Sequence, residues 1–70
     1  MADVVAHITG TVWKIECKIG QAVSVGQTLV ILESMKMEIP VEATEGGTVK
    51  EIRCKETQVV AEGDVLVVLG

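Results

Sequence analysis

The chain is 70 residues long, 49% hydrophobic and 23% charged, with a formal net charge of -4. That length allows one small domain, which buries about 60% of the surface its unfolded chain exposes, and the apolar content excludes a disordered segment. The acidic balance and single arginine disfavour a nucleic-acid partner, and the longest wholly apolar run, VLVVL at 65–69, falls far short of the ~20 residues needed to cross a bilayer as a helix.

In chain order, the N-terminal MADVVAH has no basic stretch followed by an apolar one. No secretory signal is expected, and the cytoplasm is the expected compartment. With one Trp and neither Tyr nor Phe, the core must be aliphatic, and its Val, Ile and Leu favour strands. Predicted strands then follow at VVAHI (4–8), TVWKIEC (11–17), AVSV (22–25) and TLVILE (28–33). After the segment SMK come MEIPVEA (37–43), TVKEIRC (48–54), QVVAE (58–62) and VLVVL (65–69). Gly10, Gly26, Gly47 and Gly63 separate them, as expected where turns need a positive φ. Pro40 lacks a ladder donor, which suits an edge or a strand end. No segment keeps apolar residues at helical spacing over ten positions without a glycine or a β-branched run.

The strands fall into two copies of one pattern. Residues 10–33 align without a gap on residues 47–70, and 12 of the 24 pairs are identical. Among them are Gly10/Gly47, Cys17/Cys54, Gln21/Gln58, Gly26/Gly63 and Leu32/Leu69. A four-stranded unit of this size cannot close its own apolar face, so two copies should pack face to face. The expected fold is all-β: a flattened antiparallel β-sandwich or barrel with a pseudo-twofold axis, one domain over 1–70 made of repeats at about 3–33 and 40–70. Under that symmetry the chain termini take the place in one copy that residues 34–39 take in the other. Lys36 then sits at the tip of the connection, with the termini together at the opposite end.

The chemistry of that lysine argues against a catalytic amine. A lysine in water holds its proton to about pH 10.4, and activation takes burial or nearby cations. The neighbours of Lys36 include the acids Glu33 and Glu38. A reachable, cationic, unactivated lysine fits a modification target whose enzyme supplies the activation.

The segment ESMKMEIP closely resembles the Glu-Ala-Met-Lys-Met motif of biotinyl domains, the carrier module of biotin-dependent carboxylases, and the whole chain looks like the small free-standing biotin/lipoyl attachment proteins. The resemblance implies that biotin is attached to Lys36 by a biotin protein ligase. It also implies a barrel-sandwich hybrid of two four-stranded antiparallel sheets with the lysine in a hairpin turn. The domain would be a monomer that carries a carboxyl group between biotin carboxylase and carboxyltransferase partners. Met35 and Met37 would be exposed recognition residues, together with Glu33 and Ser34. Glu33 and Glu38 would favour the biotin ligase over the lipoyl ligase, since lipoyl domains typically carry Asp-Lys-Ala at this tip. Ser34 stands where the family usually has Ala or Val, a small-for-small change. The gapless repeat leaves no room for the protruding thumb of the larger bacterial carriers, which argues against a dedicated subunit of an acetyl-CoA carboxylase. Met35-Lys36 lacks the Asn or Gly of a type I′ turn, so such a turn would be strained.

Cys17 and Cys54 are related by the repeat, and with one histidine in the chain they lack the partners of a zinc site. They are expected as small buried hydrophobes, or as a disulfide if they flank the axis. His7 is expected in a strand with a structural role. Trp13 is replaced by Lys50 in the second copy, so its position should face solvent. Beside the biotin carrier stand two other functions. One is a lipoate carrier for a 2-oxoacid dehydrogenase or glycine cleavage system, on the same lysine; the other is an unmodified hairpin scaffold. An autonomous enzyme is disfavoured, because no nucleophile–base or metal-ligand cluster is present.

Overall fold

The structure is a computed structural model and describes residues 2–70. It contains eight strands: β1 (Ala2–Val5), β2 (Gly10–Ile15), β3 (Ala22–Val23), β4 (Thr28–Ser34), β5 (Met37–Glu42), β6 (Gly47–Ile52), β7 (Val59–Val60) and β8 (Val65–Leu69). They form two four-stranded antiparallel sheets, ordered β1-β8-β6-β3 and β5-β4-β2-β7. Replacing each strand by its repeat mate turns one order into the other, so the pseudo-twofold is present. No helix is long and apolar enough to cross a membrane among the described residues.

The layers do not coincide with the repeats. The expectation of one copy facing the other is corrected: each sheet takes two strands from each copy. The cause is the connection itself. β4 continues through a tight turn into β5, which joins the two repeats inside one sheet, and the symmetric pairing of β8 with β1 does the same in the other. Ala2 pairs with Leu69, so the chain ends meet where the hairpin lies in the mate sheet.

Inward residues alternate along the strands, as one buried face demands. Leu29, Leu32, Leu66, Val12, Val49 and Val67 are almost wholly excluded from solvent. Burying such side chains stabilises by about 1.5–3 kcal/mol each. No buried side-chain polar atom lacks a partner among the described residues.

Several predicted strands end early. β1 stops at Val5, and His7 and Ile8 lie in an exposed bend. There Ala6 leaves the ladder, because its N–H donates to Asp64 O at 2.9 Å and its carbonyl accepts from Gly63 N at 2.8 Å. His7 is therefore neither in a strand nor in the core. β3 and β7 shrink to two residues, since the chain turns at once through Gly26 (φ 85°) and Gly63 (φ 92°). The identical glutamines also act in turns. Gln21 and Gln58 accept through Oε1 from the backbone N–H groups of Lys18 and Lys55, each at 3.0 Å.

Gly10 and Gly47 are not turn residues with positive φ; they open β2 and β6. Their requirement is space. A Cβ on Gly10 would meet Glu33 O at 2.8 Å, and one on Gly47 would meet Gly70 O at 3.1 Å.

Candidate functional site

β4 and β5 pair in continuous register at their joined ends: Leu32 opposite Ile39, Glu33 opposite Glu38 and Ser34 opposite Met37. That register leaves Met35 and Lys36 alone in a two-residue loop. Both have positive φ, 52° and 64°, the sign a type I′ hairpin requires at both central positions because its twist matches the strands. Neither residue is Gly or Asn, so each holds a conformation costing about 1–3 kcal/mol. The alternating apolar residues Val30, Leu32 and Val41 anchor the strands in the core and set the register, and the turn must follow.

The residues named from the motif lie on and beside the hairpin loop, and all but Ser34 are exposed. Met35 is 90% exposed and Met37 63%, while Lys36, Glu33 and Glu38 are all exposed. Among the described residues, the ion pair within 4.0 Å joins Arg53 to Glu51 at 2.8 Å, and none involves Lys36. Ser34 is half-buried, and its Cβ would lie 3.5 Å from a Cβ placed on Gly10. Gly10 thus lets β2 pass close beneath the base of the hairpin, a role that the repeat marked only as an identity.

Glu33 and Glu38 lie directly opposite on the outer face of the sheet. Like charges so placed repel, and they surround the cationic tip with negative charge. Among the described residues no three His, Cys, Asp or Glu side chains gather to hold a metal. The arrangement presents an amine at an exposed tip, with no carboxylate within 4.0 Å of it among the described residues.

Other candidates lie away from the tip. Cys17 and Cys54 are free, buried thiols, so the disulfide alternative is not realised. Burial pushes both thiols above their ordinary value near 9, and a Cys17 thiolate would raise Cys54 further. Trp13 is 47% exposed on β2, with Lys14 Nζ 5.8 Å from its ring centroid.

Curated proteins align with this chain, and two of them illustrate the likeness. It is 49% identical over 37 residues to the biotin/lipoyl attachment protein of Bacillus subtilis (strain 168), covering 53% of this chain and 51% of that one. It is 51% identical over 41 residues to the biotinylated protein TB7.3 homolog of Mycolicibacterium smegmatis (strain ATCC 700084 / mc(2)155), covering 59% of this chain and 58% of that one. The match thus spans little more than half the length of these relatives. The fold is similar to part of the Kluyveromyces lactis urea carboxylase (TM-score 0.94, 33% identity, 99% of this chain and 6% of that one). It is also similar to part of a single-chain, multi-domain long-chain acyl-CoA carboxylase (TM-score 0.88, 30% identity, 94% of this chain and 7% of that one). The biotin/lipoyl family model described as "Biotin-requiring enzyme" matches residues 1–69. With two four-stranded sheets, a lysine on the hairpin that joins the two repeats within one of them and that match along the chain, the protein belongs to the biotin/lipoyl family as a biotin-carrier domain rather than an enzyme in its own right.

Proposed function

We propose that Lys36 is the residue to which biotin is attached, and that the domain carries a carboxyl group between the sites of a biotin-dependent carboxylase. The observation that carries this reading is the position of Lys36: second in a two-residue loop, exposed, and held at a φ of 64° that an unselected lysine avoids. The chain's residues divide the work. The β4–β5 register aims the amine outward. Met35 and Met37 offer apolar contact to a biotin protein ligase, and Glu33 and half-buried Ser34 complete the surface it reads.

Nζ has to lose a proton and displace AMP from biotinyl adenylate, forming an amide. With no base beside it, that proton must leave through a group on the ligase. Once attached, biotin supplies the group that accepts and releases carboxyl. The domain supplies position only, because an exposed tip on an 18 Å-wide body can enter another protein's active site. Biotin carboxylase and carboxyltransferase are the partners of this reading, with the domain a cytoplasmic monomer over 1–70. Lipoate on the same lysine is the second reading, favoured by the similarity to a protein named for both cofactors.

Intact-mass spectrometry after incubation with a biotin ligase, and separately with a lipoyl ligase, decides between them. One added biotinyl group, absent from Lys36→Arg, is the expected result. A lipoyl adduct alone moves the domain to the second reading. An adduct surviving in Lys36→Arg places the cofactor elsewhere.

A further inference from the structure

The two copies differ systematically on their outer surfaces. The exposed apolar residues of the first copy, Ile8, Trp13, Ile19 and Val25, are matched in the second by Glu45, Lys50, Glu56 and Glu62. Folding alone needs no such difference, since both sheets have the same topology.

On the outer face of the hairpin sheet the ladder sets one of these residues, Trp13, beside further apolar side chains. Thr11 pairs with Val59, which is 70% exposed, and with Glu33, which pairs in turn with Glu38. In the next outward row, Lys14 pairs with Ile31 across an irregularity that includes Trp13, and Ile31 pairs with Pro40. Trp13, Ile31, Pro40 and Val59 therefore form a diagonal apolar strip; Glu33 and Glu38 lie between its Ile31–Pro40 row and the tip, in the row that also holds Val59. At the same place on the mate sheet stand Lys50, Val68, Asp3 and Ala22, with Val68 only 3% exposed.

We propose that this strip is the body of the docking surface for the biotin protein ligase, which binds the outer face of β5-β4-β2-β7 side-on while the hairpin enters its active site. The inference rests on the carrier reading above. Three observations select this occupant. A two-residue tip is far smaller than the ~800 Å² per partner of a standard interface, so an enzyme acting on Lys36 must cover neighbouring surface. Ile31 lies about 13 Å from Met35 at about 3.3 Å per residue, inside such a footprint. The face carries Glu33, Glu38 and Glu42 against Lys14, so it suits an apolar socket rimmed by lysine or arginine. A second copy of the chain is the wrong occupant: its own outer face carries the same excess of glutamates, so two such faces would repel. Tryptophan is the residue type that most often dominates such contacts.

The test is the steady-state kinetics of biotinylation by a biotin protein ligase. Trp13→Lys copies the residue the second repeat holds at this place, and Val59→Ala copies Ala22, so both sheets tolerate the change. Trp13→Lys should lower kcat/KM about tenfold or more through KM, with kcat retained at saturating domain. Val59→Ala should lower it a few-fold, Lys50→Ala on the mate sheet should leave it unchanged, and added salt should raise KM for the wild type. Wild-type kinetics for both Trp13→Lys and Val59→Ala, with Lys36 still loaded, would overturn the surface and leave the carrier reading intact. No loading of the wild type would remove that reading and this inference with it.

Discussion

Met35 and Lys36 hold positive φ without the residues that do so cheaply. Replacing the pair by Asn-Gly should stabilise the domain by about 1–3 kcal/mol, read as a higher Tm in thermal denaturation while modification is lost. An unchanged Tm would mean the loop is not strained. The repeat supplies an independent case of the same physics. Gly20 has φ 89°, and its mate Thr57, a β-branched residue, has φ 73°. Both donate across to the other copy, Gly20 N to Val49 O at 2.8 Å and Thr57 N to Val12 O at 2.7 Å. The pairing enforces the conformation whatever residue is present. Thr57→Gly relieves about 1–2 kcal/mol of left-handed strain and adds about 0.5–1 kcal/mol of backbone entropy cost. A net stabilisation of about 0.5–1 kcal/mol in denaturant titration is the expected outcome. The buried thiols give the domain an alkaline limit. Because Cys17 and Cys54 resist ionisation when folded, the unfolded chain loses protons first as pH rises past about 9. Their contribution is fully present below that pH and is lost above it. A Cys17→Val/Cys54→Val variant should show a flatter fall in stability above pH 9.

At the scale of elements, the β4–β5 hairpin depends on a glycine outside it. Gly10→Ala forces a methyl to within 2.8 Å of Glu33 O, a backbone atom that cannot swing aside. The expected cost is about 1–3 kcal/mol from overpacking, more than for Gly47→Ala, where the contact is 3.1 Å to Gly70 O. Slower biotinylation by displaced β4 should accompany it, measured as a fall in kcat. The hairpin was legible in the sequence, but not through turn chemistry. Met-Lys is a poor turn pair, and only the symmetry of the repeat and the motif around Lys36 located it. Strand ends were less legible. VVAHI alternates well enough to be taken as a strand to residue 8, yet the hydrogen bonds of Ala6 to the 61–64 turn end it at Val5. Nothing local marks that competition, because Ala6 and Gly63 are 57 positions apart in the chain.

For the whole molecule, the interleaved sheets make the two repeats interdependent. β1 and β3 pair only with strands of the second copy, and β7 only with β2 of the first. Neither half offers a complete sheet, so a peptide of residues 1–36 should show no cooperative thermal transition by circular dichroism, and the intact chain should show one. A cooperative transition in the half-chain would contradict the pairing. The shared core carries a matching symmetry: Leu29 and Leu66 are repeat mates, both wholly buried. Leu29→Ala and Leu66→Ala should each cost about 2–5 kcal/mol, by similar amounts.

The sequence by itself determined the class of fold, the twofold and the candidate residue. Apolar alternation selects strands, the 37-residue offset is visible in the letters, and ESMKM surrounds one lysine at the midpoint. Tertiary structure alone decided how the copies share their sheets, why Gly10 and Gly47 must lack a side chain, and that Trp13, Ile31, Pro40 and Val59 share one face with the hairpin. Those facts depend on which strands lie side by side. Local pattern specifies the faces of a strand, and only long-range pairing specifies its neighbours.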